Sequence, residues 1–242
     1  CLIAKPNAKI CYPPLKPLTM ARKTKEDAEH THTALLDAAE QVFYEHGVAQ
    51  TTLNDIAIAA GMTRGAIYWH FKDKTALLQA LFDRAMLPME ALLTELSSNL
   101  VADPLGTMRQ IMVKALTTLA QSERQQKVNT ILLHRCENTG DAAGAISREQ
   151  QHREECFCQV GEILGTAVQQ GQLPADTDIN AAAQTLHAFM VGTIHEWLQD
   201  TQRYCLLKQA PGMVDMIMAG LKACPPRVLK AATENASVTL SA

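Results

Sequence analysis

Between Thr63 and Lys74 the sequence TRGAIYWHFKDK brings a guanidinium, a phenol, an indole, an imidazole and two ammonium groups into one short stretch. These are groups that touch nucleic acid. A guanidinium reads base edges, while hydroxyl, indole, imidazole and ammonium donors hold phosphate oxygens. Arg64 is the strongest candidate for base reading. Thr52, Tyr68, Trp69, His70, Lys72 and Lys74 are candidates for phosphate contacts, and Thr63 and Gly65 belong to the same surface. Catalysis and metal binding find no comparable constellation. Cys156-Phe-Cys158 has the outline of a metal pair, but positions i and i+2 of a helix point about 200° apart and cannot share one ion. His134 and Glu137 make an ordinary polar contact as readily as an acid–base pair. No G-x-S-x-G, P-loop, H-E-x-x-H or dinucleotide fingerprint occurs, so no enzyme, cofactor or metal is expected.

Two short helical patterns joined by a tight turn must position these groups. Thr52 is the predicted N-cap of the first, with Asp55 completing an acidic capping box and Leu53, Ile56, Ala57 and Ala60 at helical spacing. Gly61 supplies the positive φ that ends such a helix. Thr63 caps the second, whose Ala66, Ile67 and Phe71 point inward. This is the outline of a helix-turn-helix DNA reader. The plainer alternative is a helical hairpin that keeps its aromatics in a core. Upstream, Arg22, Lys23 and Lys25 form a basic cluster, either a solvated tail or an arm lying along phosphates or in a minor groove.

Composition bounds the rest. Hydrophobic residues make up 47% of the 242 and aromatics only 5%, without long Val/Ile/Thr alternations, which predicts an all-α protein. The formal charge is −3, and residues 20–84 hold seven Lys/Arg against nine Asp/Glu. Phosphate attraction must therefore come from local clusters, which argues against a non-specific nucleic-acid coater. The seven cysteines are odd in number and lie mostly in helical patterns, so they read as reduced cytosolic thiols. No apolar run approaches the ~20 residues of a membrane span. Residues 1–19, with four prolines and no sustained apolar run, are expected to be a leader outside the native fold, with Met20 as the natural start.

The chain in order yields further helices. From Thr33, Leu35, Leu36, Ala39, Val42 and Phe43 form a stripe that Gly47 ends. Asp73 caps a long pattern through Leu77, Leu78, Leu81, Phe82 and Ala85, in which Pro88 should produce a kink near Met86 or a break. Asp103 and Pro104 start another helix. Single helices are then predicted over Glu123–Gly140, Ser147–Gln170 and Ile179–Leu198, a terminal one over Met213–Lys222 after Pro211, and a flexible tail from Pro225. Asn129, Leu132, Leu133 and Cys136 share one helix side, an amide among apolar neighbours. Met108, Met112 and Met190 offer adaptable, polarizable surface, and Val160 lies on the apolar face of its own helix. A pocket for lipophilic compounds and simple core packing both account for these residues.

GMTRGAIYWHFKDK resembles the recognition region of the TetR family of bacterial repressors, above all the multidrug-efflux branch named for AcrR. MARKTK from Met20, LLHRCE and GQLPAD extend the resemblance from Met20 to about Pro226. It implies a helix-turn-helix domain over 20–72, a ligand-binding and dimerisation domain over 73–224 and a tail over 225–242. It also implies a cytoplasmic, non-membrane repressor that pairs as a homodimer through a four-helix bundle. The two long helices Ser147–Gln170 and Ile179–Leu198, apolar on more than one face, are expected to build that bundle with their symmetry mates. Two heads ~34–36 Å apart would read a palindromic double-stranded operator, which a small lipophilic effector would release. By the same resemblance Asn129 and Cys156 match pocket-lining residues, and Ile111, Ala115, His187 and Met190 fall at lining positions. His187 stands where the family pattern carries an aromatic. The alternatives are a regulator of a metabolic operon, a helical adaptor or a bundle enzyme.

Overall fold

The computed structural model describes residues 25–96, 102–136 and 143–228, with side chains 86–96 and 143–153 outside the description. Arg22, Lys23, the expected leader and the chain beyond 228 therefore lie outside it, as does Glu137. Lys25 is the first residue of α1, its side chain also outside. The described residues form nine α-helices and no strand beyond one isolated β-bridge. None of these helices is long and apolar enough to cross a membrane.

Four helices build a head. α1 (Lys25–His46) buries Leu35, Leu36, Ala39 and Phe43, and Gly47 ends it at φ +78°. α2 (Leu53–Ala59) starts at a complete capping box. The Thr52 hydroxyl accepts from the Asp55 amide at 3.2 Å, and the Thr52 amide donates to the Asp55 carboxylate at 2.9 Å. Gly61, at φ +66°, closes α2 with a paired-bond cap: Met62 N donates to Ala57 O (2.8 Å) and Gly61 N to Ile58 O (2.9 Å). α3 (Arg64–His70) follows from the Thr63 cap, and α4 (Lys74–Leu96) from Asp73, which accepts from Ala76 N at 2.8 Å.

The body comprises α5 (Pro104–Gln121), α6 (Glu123–Thr130), α7 (Ala143–Gln169), α8 (Ile179–Gln199) and α9 (Leu206–Ala223). Its core joins Met108, Met112, Leu116 and Leu119 of α5 to Leu164 of α7, Leu186 and Trp197 of α8, and Val214 and Met218 of α9. The head has a separate core, and that core reaches beyond α1–α4. Val128 and Ile131 are fully enclosed in it, and Leu132 and Cys136 pack against it. Val48 N also donates to Arg135 O at 3.1 Å. The boundary expected between residues 72 and 73 thus falls inside one packed cluster.

Of the two outcomes expected at Pro88 the break does not occur: α4 runs as one helix to Leu96, since a proline removes a single ladder bond and leaves the rest. Three expectations are corrected. The helix expected over Glu123–Gly140 instead stops at Thr130 and passes into a π-helical turn, Ile131–Arg135. α9 starts at Leu206 rather than Met213 and contains Pro211. The stripe of Leu206, Ala210, Val214, Met218 and Leu221 is buried along its whole length and outweighs one missing bond. The tail expected from Pro225 begins as fixed chain: Asp178 N donates to Pro226 O (2.8 Å), Val228 N to Asp176 O (3.0 Å), and Arg227 pairs with Asp176. The turn before α8 leaves backbone groups that need partners, and this segment supplies them.

Thr52→Ala removes the hydroxyl's two bonds with Asp55, leaves the backbone amide on the carboxylate, and is expected to cost about 1 kcal/mol in urea unfolding. The Asp55 carboxyl is held below its ordinary range by the Thr52 hydroxyl and then the Thr52 amide. Its contribution is therefore present above the ordinary carboxylate pKa and is lost as pH falls through the depressed value. A variant whose deficit stays constant from pH 6 to pH 2 would dissociate Asp55 from the cap.

Candidate functional site

The short helix α3 is anchored on one side only. Ile67 and Phe71 are buried in the head core, while Thr63, Arg64, Gly65, Tyr68 and Trp69 face solvent. Tyr68 is 48% exposed and Trp69 71%, unusual for aromatics this large unless they wait for a partner. Arg64 lies over the Tyr68 ring at 5.4 Å from its centroid, a cation–π contact that stiffens a long side chain. Trp69 meets His70 edge-on at 4.6 Å, and His70 reaches His32 of α1 at 5.7 Å. A Cβ on Gly65 would meet only the Thr63 hydroxyl, at 3.9 Å, so the chain's own packing does not require glycine there. Lys72 is exposed next to this face.

Two of the candidate phosphate contacts already have structural work. The Thr52 hydroxyl is engaged in the α2 cap, donating to Asp55 at 2.7 Å. Lys74 is the second. Its ammonium donates to Val48 O (3.0 Å) and Thr51 O (3.1 Å), tying the α1–α2 turn to the start of α4. These carbonyls lie 26 and 23 residues upstream, and only the folded head brings them to Lys74.

The second site is a cavity of about 180 Å³ in the body, between α5, α7 and α8. Of the candidate lining residues, Met108, Ile111, Met112, Ala115, Cys156, Val160, His187 and Met190 meet there. Phe157, Gln159, Ile163 and Leu186 complete the wall; in the sequence they are unremarkable members of helical stripes. Burial pushes the Cys156 thiol pKa up, so this sulfur is an inert, weakly polar wall atom. The His187 ring packs against Phe157 at 4.8 Å.

Asn129, Leu133 and Cys136 do not line this cavity: they lie on α6 and the turn that follows it, while the cavity walls come from α5, α7 and α8. Leu133 turns to solvent and Cys136 packs on the head core. The Asn129 amide is satisfied within its own helix, donating to Gln125 O at 2.8 Å.

Comparison with known proteins adds to this geometry. The sequence pattern described as "Bacterial regulatory proteins, tetR family" matches residues 35–81, the helix-turn-helix with its flanks. That of the "MAATS-type transcriptional repressor, C-terminal region" matches 103–223, from the α5 cap to the end of α9. The regulator TtgR of Pseudomonas putida is 38% identical over 206 residues, 85% of this chain and 98% of its own. The chain belongs to the TetR family.

Two solved TetR-family structures align closely. NalD, the secondary repressor of the MexAB-OprM multidrug efflux pump in Pseudomonas aeruginosa, superposes with a TM-score of 0.74 at 33% identity, covering 81% of this chain and 98% of NalD. SmeT, the repressor of the Stenotrophomonas maltophilia multidrug efflux pump SmeDEF, has a TM-score of 0.70 in its triclosan complex at 32% identity, covering 85% and 100%. TetR-family proteins are DNA-binding regulators and not enzymes; they dimerise and answer to small-molecule effectors.

Proposed function

We propose that this TetR-family protein represses a multidrug efflux operon from the cytoplasm and is released from a palindromic operator by a lipophilic effector held between α5, α7 and α8. NalD and SmeT, each the repressor of an efflux pump, support the choice of operon. The observation that carries the DNA half is the outward face of α3. There Arg64 is steadied by Tyr68 beside an exposed Trp69, on a helix fixed by Ile67. In this reading Arg64 reads a base from the major groove, and Gly65 lets the backbone approach closely. Tyr68, Trp69, His70 and Lys72 hold phosphates. Lys74 instead keeps the α1–α2 turn in place.

Glycines support a dimer face on α8 and α9. Exposed α7 positions among the described side chains are mostly polar (Glu154, Glu155, Gln159, Glu162), which favours α8 and α9 over α7 and α8 as the pairing surface in this reading. Gly192, Gly212 and Gly220 sit on these helices where an added Cβ would meet nothing within 4 Å. Each costs its helix about 1 kcal/mol relative to Ala, a cost offset if another backbone must come close. Met216 stands exposed among them.

The effector half has a mechanical route. Ser122 ends α5 and caps α6, and the Gln126 amide donates to Leu119 O and Ala120 O, both at 3.1 Å. α6 in turn holds the head through Gln125 Nε2 to Ala85 O (2.6 Å) and through the packing of Val128 and Ile131. A ligand that displaces α5 thus acts on α6 and on head spacing, and it needs only to bind one arrangement better than the other.

The test is fluorescence anisotropy on the DNA upstream of the chain's own gene and on a scrambled duplex. Arg64→Ala is expected to lose ~1–3 kcal/mol on the operator and much less on scrambled DNA. Equal losses on both would make Arg64 a phosphate contact, and no retention of the operator by the wild type would overturn the reading.

A further inference from the structure

The short helix α3 ends abruptly. Phe71 leaves it in extended backbone (φ −131°, ψ 119°), and the Phe71 amide closes the last turn on Ile67 O at 2.8 Å. His70 is therefore the last helical residue, and no residue of a following turn lies over its side chain. Rings surround the imidazole instead. Trp69 meets it edge-on at 4.6 Å, and Phe71 lies 6.3 Å away, tilted by 42°. Both are its neighbours in sequence. A third ring comes from another helix. His32 of α1 faces His70 at 5.7 Å and 62°, and it also lies on the buried Phe71 at 4.9 Å and 31°. His32 is half-buried and just precedes Leu35 and Leu36, which fix α1 in the head core. Contacts thus run from α1 through His32 and His70 to the exposed Trp69.

From this arrangement we infer that His32 is a positioning residue for DNA binding: it makes no DNA contact itself, and its ring holds the His70 imidazole, and through it the Trp69 indole, in the orientation that meets phosphate oxygens. The inference rests on the reading of α3 as the DNA face and adds to it a residue of α1. Its physical basis is preorganisation. A side chain that must be ordered when DNA arrives lowers affinity roughly 2- to 10-fold, whereas one already ordered in the free protein does not. Flat rings order one another well, because edge-on and tilted contacts are favoured geometries. Phosphates carry no sequence information, so the gain applies to every duplex alike. Arg64 differs in that respect, since a base-reading side chain favours the operator.

The experiment is a double-mutant cycle on the full chain, read by fluorescence anisotropy on operator and scrambled duplexes, with urea unfolding of every variant. His32→Ala is expected to weaken binding about 5-fold on both duplexes, the cost of reordering the rings at the interface. His32→Phe, which keeps a flat ring against Phe71 and His70, should stay within about twofold of the wild type. His70→Ala should weaken binding at least as much as His32→Ala, and adding His32→Ala to it should change nothing further. Lys72, exposed and without a ring, is the control: the losses of Lys72→Ala and His32→Ala should add in full. A merely structural His32 would lower stability and leave the cycle with His70 additive. The inference is overturned if His32→Ala binds both duplexes like the wild type, or if its loss is undiminished in the His70→Ala background. It is overturned as well if His32→Phe loses as much as His32→Ala, which would make the imidazole itself a DNA contact. Should His70→Ala have no effect on either duplex, the phosphate-holding reading of α3 fails and takes the inference with it.

Discussion

Arg84→Ala is expected to lower the unfolding free energy by about 3 kcal/mol at pH 7, the low end of what breaking a buried ion pair costs. Arg84 of α4 bridges two carboxylates of α1, bonding Asp37 at 2.7 Å and Glu40 at 2.9 Å. Arg124 of α6 reaches the same pair, at 2.8 Å and 3.4 Å. Glu40 is only 7% exposed, so truncating Arg84 leaves its carboxylate inside the protein with the more exposed Arg124 as its main counter-charge. Burial raises the Glu40 pKa, and Arg124 and Arg84 pull it back. Without Arg84 it should rise further. The sign follows: a carboxyl whose folded pKa is raised weakens stability above that pKa, and the loss is relieved as pH falls through it. The Arg84→Ala deficit should therefore shrink as pH falls from 7 toward the ordinary carboxylate range, and Glu40→Gln should recover part of it at pH 7. Urea unfolding of the two single variants and the double variant checks both points. A deficit under 1 kcal/mol, independent of pH, would reduce the cluster to an ordinary surface network.

Met216→Asp should give a monomer that no longer retains operator DNA at concentrations that saturate the wild type. Met216 is 68% exposed on α9, close in sequence to Gly212 and Gly220, so the substitution leaves the chain's own core untouched. At an interface between copies it would place two carboxylates in an apolar contact. A dimer gains over one head by roughly 10²–10⁴ through effective concentration, and that factor is what the variant loses. Analytical ultracentrifugation and anisotropy, run on the same samples, read the two effects together. Gly220→Ala is the informative companion: it should raise helix stability yet weaken the dimer. A dimeric Met216→Asp with full operator affinity would move the interface elsewhere.

The head was legible because its signals are local. Thr52 and Asp55, Gly61, Thr63 and Asp73 each determine a cap or turn within a few residues, and each does so in the structure. The cavity was legible in part. Met108, Met112, Cys156 and Met190 stand out by residue type or by resemblance, whereas Phe157 and Ile163 look like any buried stripe. The misses have physical causes. Asn129, Leu133 and Cys136 were grouped by spacing within one helix, which says nothing of which helices wall the cavity; those are α5, α7 and α8. Lys74 has its partners 26 and 23 residues away, beyond any local pattern. Pro211 reads as a stop, yet a buried stripe on both sides carries the helix through it.

The anchoring of α6 in the head core bears on how such proteins can be recombined. Val128 and Ile131 fill space among α1–α4, and Val48 is bonded to Arg135 across the same seam. A chimera joined at residue 72 would graft foreign recognition helices onto a wedge shaped for the old ones. Exchanging residues 25–96 together with 123–136 keeps the seam intact. Breakpoints in naturally shuffled relatives should avoid separating these two segments, and libraries that respect this linkage should yield more folded sensors than libraries cut at the end of α3.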